Sequence, residues 1–456
     1  MLKIMIIGAG EVGFNVANRL AHENKNVVII DKNPEAIRRI SDSLDVQAIV
    51  GAGNSPVILE EAGIRGTEIL LAVTDSDDVN LVACLAADLI SPTTKKLARI
   101  RNVDFDNFHD ALREKAPHID TIINPEIEVV KTIGLLMTVP GAVDVGELVD
   151  GRVKFVGIQL DKGAKLAGAR LTSISSVAGK GNLLIAAIIR KDTLIIPTGK
   201  DTLEPNDLVY FICEDSKLPE ILEVFDKREE PFRRVLIVGG GRIGLRLAKM
   251  MEDQSIYTKI IEKDPSRCIQ LADSLNKTVV LNGDGSDQEL LREENIKDMD
   301  LVITLTNDEE TNVLSSLLAK QMGIRKTITK ISKFGYLPLL STIGIEQVVS
   351  PRLSAVNSIL RHIRRGKVLA TKSIMGEQAE IMEAIALETS DIVGKPLMKI
   401  AFPSGAIVIG ISRGEGNFII PSGDSVIEPG DRIIILADRK AIPKIEKILT
   451  VKLEFF

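Results

Sequence analysis

The chain has 456 residues, 45% of them hydrophobic and 26% charged, with a net charge of −6. This length and balance suit a globular protein of about three domains with ample core, and they exclude the basic surplus of a nucleic-acid binder. Three scattered cysteines, Cys84, Cys213 and Cys268, show no paired spacing and fit free, buried thiols in a reducing compartment.

In chain order, an apolar run over 2–7 enters Gly8-Ala9-Gly10-Glu11-Val12-Gly13, with no leader pattern before it. The helix expected behind it carries Val12, Val16, Ala17 and Leu20 on one face. A second run, 27–30, closes on Asp31. Further strands are expected at 46–50, before Gly51-Ala52-Gly53-Asn54, and at 69–74, before Asp75 and the stretch to Asn80. Two more are expected at 97–101, closed by Arg99 and Arg101, and at 121–123, meeting Pro125. Residues 141–226 differ in kind. Short β runs at 184–189 and 208–212 flank Pro205-Asn206-Asp207, turn chemistry that suits antiparallel neighbours, and a helix closes at 218–225. A charged stretch over 227–234 is the seam.

Then the pattern repeats. An apolar run enters Gly239-Gly240-Gly241-Arg242-Ile243-Gly244, with Ile243, Leu247, Ala248 and Met251 on the following helix and Glu262 closing the next strand. Gly8 and Gly239 stand 231 residues apart, and so do Asp31 and Glu262. Strands follow at 278–281 (before Asn282-Gly283-Asp284-Gly285-Ser286), at 301–306 (before Asn307 and the stretch to Asn312), at 328–332, and at 347–349 before Pro351. Residues 376–450 repeat the second segment, with Gly199, Pro205 and Asp207 returning as Gly423, Pro429 and Asp431. β runs at 407–411 and 432–436 and a helix at 442–449 are expected there.

Continuous Val/Ile/Leu strands alternating with helices imply parallel sheets covered on both faces. The fold class is α/β: two Rossmann-like doubly wound parallel-sheet lobes, each followed by a small α+β module. The boundaries are 1–138 and 139–226, then 232–366 and 367–456. No apolar run approaches the ~18 residues that cross a membrane, so a cytoplasmic protein is expected.

The glycines carry the chemistry. In such fingerprints the first permits a tight strand-to-helix turn, the second lets the backbone approach a pyrophosphate, and the third lets helix and strand pack closely. Phosphates then sit at the helix N-terminus. The phosphate loops are Gly8, Ala9, Gly10, Glu11 and Val12, and Gly239, Gly240, Gly241, Arg242 and Ile243. Asp31 and Glu262 are placed to accept from a ribose diol. A 2′-phosphate would be repelled there, which favours NAD or NADH. The plain alternative is two tight turns without ligand, which leaves the two acids in register unexplained. Thr74 with Asp75, and Thr306 with Asn307, end the fourth strands at the topological switch point. The same segments also read as helix caps with Asp77, Asp78, Glu309 and Glu310 in the first turns. The match of Asn80 to Asn312 reads as packing. Arg99 is placed either to reach a phosphate or to form a surface ion pair, and the second lobe has Lys330 and Ser332 in that region.

None of the four histidines recurs between halves, and no nucleophile elbow, Walker lysine or metal-spaced cluster is present. No catalytic and no metal-ligating residue is assigned. An NAD-dependent oxidoreductase, the alternative function, needs a proton-handling group and a substrate domain. A scaffold whose second lobe has lost its ligand is a third reading, opposed by Glu262 and the second set of glycines. The run Arg361-His362-Ile363-Arg364-Arg365 reads first as a solvated helix end and second as a contact for an acidic partner.

These residues resemble the TrkA family, the cytoplasmic nucleotide-binding subunits of Trk-type potassium uptake systems, built from tandem RCK domains. The resemblance spans the chain. It rests on the 8–13 loop, 74–80 with Cys84 nearby, and Ala98-Arg99-Ile100-Arg101. In the second half it rests on Val238 to Gly241, 283–291, 306–312 and Ser350-Pro351-Arg352. It implies a protein that is not an enzyme, with lobes that bind NAD, NADH, ATP or ADP. It also implies a homotetramer of eight lobes, held at the inner face of the cell membrane by a potassium channel or transporter subunit. In related subunits an acid near the start of the helix after the sixth strand helps hold a cation beside the nucleotide. Glu126 fits that role and Arg352 does not, and Lys330 in place of Arg99 implies lobes of unequal affinity.

Overall fold

In the computed structural model the described residues are 2–105, 108–177, 183–191, 193–227, 230–332, 336–345, 347–363, 368–374, 378–414 and 416–449. Apolar strands and amphipathic helices alternate through the first lobe, and the strands form one six-stranded parallel sheet. These are β1 (Lys3–Ile7), β2 (Asn26–Asp31), β3 (Gln47–Val50), β4 (Ile69–Ala72), β5 (Lys95–Arg99) and β6 (Thr121–Ile123). Their order is β3-β2-β1-β4-β5-β6, so the chain reverses direction across the sheet between β1 and β4. Ile4, Met5 and Ile6 are fully buried, because helices cover both faces.

The next five strands are β7 (Asp144–Leu148), β8 (Val153–Gln159), β9 (Leu184–Arg190), β10 (Thr193–Ile195) and β11 (Leu208–Glu214). They form an antiparallel sheet in the order β10-β9-β11-β8-β7. The second lobe repeats the first with β12 (Arg234–Val238), β13 (Tyr257–Glu262), β14 (Val279–Asn282), β15 (Leu301–Thr304), β16 (Lys326–Lys330) and β17 (Gln347–Val349). The order is β14-β13-β12-β15-β16-β17, all parallel. A second antiparallel sheet, β18-β19-β22-β20-β21, follows, from β18 (Val368–Ile374), β19 (Ala379–Ile385), β20 (Ala406–Arg413), β21 (Asn417–Ile419) and β22 (Arg432–Asp438). The expected α/β class with small α+β modules stands. Strands β7, β8, β10, β18, β19 and β21 were not among the expected runs, although Asp150-Gly151 is turn chemistry between β7 and β8.

The recurring turn acids of the modules are latches. Asp207 is almost fully buried and takes a two-pronged hydrogen bond from Arg190 at 2.9 and 2.7 Å. Asp431 takes the same from Arg413 at 3.0 and 2.8 Å. A planar guanidinium fits a carboxylate in this way, and the pair fixes each turn to the strand it follows.

The chain divides into two compact units, Met1–Glu128 with Arg352–Arg364, and Val129–Pro351 with Arg365–Phe456. The helices after the sixth strands explain the interleaving. In Pro351–Ile363, the residues Ala355, Val356, Ile359, Leu360 and Ile363 are buried among Ile4, Ile6, Val16 and Leu20 of the first lobe. In Pro125–Thr138, the residues Val129, Ile133 and Leu136 belong to the core that holds Ile237 and Leu247 of the second. Each lobe's sheet is thus covered by the helix that chain order would give to the other. Nothing in helical periodicity distinguishes the two destinations. Among the described residues no helix is long and apolar enough to cross a membrane.

Two candidate nucleotide sites

Each lobe builds its site at the ends of its first two strands. Gly8 has φ +105° and Gly239 φ +108°, a region L side chains rarely enter. A Cβ on Gly8 would lie 3.0 Å from the Thr74 nitrogen, and one on Gly239 2.8 Å from that of Thr306. The third glycines are tighter still. A Cβ on Gly13 would fall 1.8 Å from the Gly8 carbonyl oxygen, and one on Gly244 2.1 Å from that of Gly239. The middle glycines are the opposite case: around Gly10 and Gly241 nothing lies within 4 Å of a built Cβ. These residues begin the helices Glu11–His22 and Arg242–Asp253, and no side chain caps either end. With no side-chain cap and with both N-cap glycines exposed, these helix starts have the arrangement an anion needs.

The two acids brace their loops. Asp31 accepts from the Ala9 N–H at 2.6 Å and from the Asn33 N–H at 2.8 Å. Glu262 accepts from Gly240 at 2.7 Å and Asp264 at 2.9 Å. Each carboxylate is half-buried beside its phosphate loop and retains lone pairs for a ribose diol.

The switch-point residues form one network in each lobe. Asn80, fully buried, accepts the Thr74 N–H at 2.9 Å and the Thr74 hydroxyl at 2.7 Å, and donates to the Arg99 carbonyl at 2.8 Å. Asn312 repeats this with Thr306 at 2.8 Å twice and with the Lys330 carbonyl at 3.1 Å. The asparagines, read as packing from sequence, are positioning residues that tie the fourth strand's end to the fifth's. They also explain two boundaries. The fourth strands stop at Ala72 and Thr304, short of the expected 74 and 306: the Val73 and Leu305 N–H groups still donate to the first strand, but those of Thr74 and Thr306 turn to a side-chain amide oxygen. The fifth strands stop at Arg99 and Lys330, so Arg101 lies beyond β5 rather than closing it. Asp77 captures the N–H groups of Arg101 and Asn102 at 2.9 and 2.8 Å, and Glu309 captures that of Ser332 at 2.8 Å.

Arg99 satisfies part of both readings. Its guanidinium lies 3.6 Å from Asp75, yet Asp75 is 95% exposed while the arginine side chain is 14% exposed. Burial, then Arg101, pulls the Arg99 guanidinium below its usual range, opposed by Asp75, Asp77 and Glu126. Among the described residues this half-buried cation has its ion pair with the exposed Asp75, and such a pair is weak. Lys330 instead donates to the Asn307 side chain at 3.4 Å and the Leu305 carbonyl at 3.5 Å.

One residue near the first site was out of reach of sequence spacing. Arg352 opens the helix that covers the first lobe, and its guanidinium stands 3.8 Å from Glu11 at the phosphate loop. The sequence sets Pro351-Arg352 against Pro125-Glu126, but only packing places the arginine in the first lobe. Glu126 is nearly buried and its charge acts on Arg99. Among the described residues no three His, Cys, Asp or Glu side chains converge as metal ligands. Burial lifts the Cys84 and Cys213 thiols to about 12, and all three cysteines are free. Of the basic run, His362 ends a helix, half-buried, while Arg364 and Arg365 lie outside the described residues.

Comparison with known proteins agrees with this duplicated plan. The TrkA-N domain family matches residues 4–125 and 235–351, and the TrkA-C domain family matches 155–226 and 381–450. The chain is 36% identical over 459 residues to the Trk system potassium uptake protein TrkA of Halomonas elongata, covering 100% of both. It is 38% identical over 453 residues to TrkA homolog 1 of Methanosarcina mazei, covering 98% of this chain and 99% of that one. Among solved structures the GsuK channel is similar with a TM-score of 0.61 at 18% identity, over 98% of this chain and 79% of that chain. The GsuK channel bound to NAD gives 0.60 at 17%, over the same shares. At such identity these structures share the fold.

Proposed function

The chain belongs to the TrkA family of Trk-system potassium uptake proteins, and from that premise we propose that it is a nucleotide-binding regulatory subunit of a membrane potassium channel or transporter. Its lobes bind NAD or NADH, and ATP or ADP, through Gly8–Val12, Asp31, Thr74, Asp75 and Arg99, and through Gly239–Ile243, Glu262, Thr306 and Asn307. Four chains bring eight lobes into a cytoplasmic ring, held at the inner face of the membrane through the partner. Along the chain the parts are 1–138, 139–226, 232–366 and 367–456, with the helix ending each lobe segment packed on the other lobe.

One observation carries this reading: both lobes hold the same glycine, acid, threonine and asparagine constellation around an open helix N-terminus. The acid braces the loop, the loop presents N–H groups to phosphates, and the asparagine sets the switch-point edge. Such a site binds and releases a nucleotide unchanged. It moves a gate only through unequal affinity for the ring's two states, so the coupling is reciprocal. The relatives are named as potassium uptake proteins, and among the described residues nothing in either lobe favours the oxidoreductase alternative.

The test is potassium flux into vesicles holding the cognate membrane subunit and the full chain. Flux that changes with NADH or ATP, and loses that response when Asp31→Ala and Glu262→Ala are combined, supports the proposal. Flux indifferent to both nucleotides and to the variant contradicts it.

A further inference from the structure

Strand order determines where a nucleotide's base must lie in the second lobe. Phosphates at the start of Arg242–Asp253, which follows β12, and a ribose on Glu262, which ends β13, define a direction across the sheet. The base lies beyond the ribose, so it continues toward the next strand, β14, and the loop Gly283-Asp284-Gly285-Ser286. That loop is tied to the ribose acid. The Gly283 N–H donates to the Glu262 carbonyl at 2.9 Å, and the Asn282 amide donates to the carbonyls of Glu262 and Lys263 at 3.1 and 3.2 Å.

Asp284 is the acceptor in this loop. One carboxylate oxygen takes the Ser286 N–H at 2.9 Å and the Ser286 hydroxyl at 2.7 Å. The other takes the Lys263 ammonium at 2.9 Å. Asp284 is 37% exposed and Lys263 81% exposed, so the pair is open to solvent. Ser286 and then Lys263 hold the Asp284 carboxyl down at about 2, which keeps it an acceptor at neutral pH.

The first lobe has the same backbone and different side chains. The Gly51 N–H donates to the Asp31 carbonyl at 2.9 Å, as Gly283 does to Glu262. A Cβ on Gly53 would fall 2.0 Å from Ile7, and one on Gly285 2.1 Å from Val238, so both loops press on the first strand alike. Yet Ala52 stands where Asp284 stands, and Asn54 where Ser286 does.

The geometry assigns Asp284 the reading of the base in the second lobe: an adenine, whose 6-amino group donates to the carboxylate, is accepted there, and a 6-oxo purine is refused. The first lobe, with an alanine methyl and an amide that donates or accepts equally, makes no such distinction. The inference rests on the reading that both lobes hold a dinucleotide. A carbonyl oxygen brought against an ionised carboxylate loses a charge-assisted hydrogen bond and gains repulsion, a difference of about tenfold or more in affinity at a half-exposed site.

The experiment is calorimetric titration of the full chain with NAD and with its hypoxanthine analogue, in which oxygen replaces the 6-amino group. Two sites are expected for NAD. The analogue is expected to bind one site as NAD does and the other at least about tenfold more weakly. Asp284→Asn keeps the turn while offering a group that can donate, and should erase the preference. Ala52→Asp should bring the preference to the first lobe. Equal binding of the two dinucleotides at both sites, or a preference that survives Asp284→Asn, overturns the assignment and leaves nucleotide binding intact. A second lobe that binds no NAD overturns it too. Failure of both lobes to bind NAD or ATP removes the nucleotide reading along with it.

Discussion

Set beside one another, the two lobes share their backbone and differ in charge. Both have a glycine of positive φ packed on the switch-point threonine, both have an acid holding the loop's second residue, and both have a buried asparagine joining strand ends. The first helical residue is Glu11 in one and Arg242 in the other, and a carboxylate there repels the phosphates that an arginine attracts. Arg352 offsets Glu11 from the helix covering that lobe. Arg99, Lys330, Ala52 and Asp284 differ likewise. Duplication has preserved the loop scaffold proposed to position a nucleotide while changing the charges around it, so the lobes should bind with the same geometry and unequal constants.

The largest effects are expected at the third glycines. Gly13→Ala and Gly244→Ala each force a methyl onto a carbonyl oxygen, and each should cost about 3 kcal/mol in urea unfolding and abolish binding in its own lobe. Binding lost in both lobes from one substitution would show that the two do not act separately. Next, Asn80→Ala and Asn312→Ala leave buried backbone groups without partners, at a cost of about 2 kcal/mol apiece. Their equality sharpens the claim of a shared scaffold, and a clear inequality would weaken it.

Much of this scaffold was legible in the residues. The glycines, the acids and the Thr-to-Asn spacing each act through neighbours close in sequence, and the recurrence of all of them in register pointed to both candidate sites. What stayed hidden depends on long-range packing. The exchanged helices 125–138 and 351–363 present ordinary apolar faces, and their destinations follow from partners more than 100 residues away along the chain. Arg352 inherits that invisibility. Asn80 and Asn312 were visible, but their role was not, because a buried amide that replaces a strand hydrogen bond looks like any polar core residue until its partners are known.

Smaller effects separate the lobes. Asp31→Ala and Glu262→Ala should each weaken NAD about tenfold at one site by removing both the ribose acceptor and the loop's brace. Titration of each variant would show a single altered constant. Arg352→Ala should weaken ATP by a factor of about three in the first lobe alone, and alteration of the second site instead would refute its placement.

His362 offers a contrast in pH, since Leu136 holds the corresponding place on the other exchanged helix. Burial, then Arg361 and Lys95, lowers its imidazole from 6.5 to about 4. Between those values the unfolded chain binds more protons than the folded one. Stability is therefore full above pH 6.5 and falls as pH drops toward 4, by about 1 kcal/mol after allowance for partial exposure. His362→Gln should flatten that limb, which chemical unfolding at pH 7 and pH 5 would register.

Whether each lobe holds an intact nucleotide is read by equilibrium binding of NADH and ATP to the full chain, with the bound nucleotide recovered and identified after hours. Close to two unchanged nucleotides per chain, one of them held about tenfold more weakly after Asp31→Ala, is the predicted result. Oxidised or hydrolysed nucleotide, or binding that Asp31→Ala leaves unaltered at both sites, would contradict it.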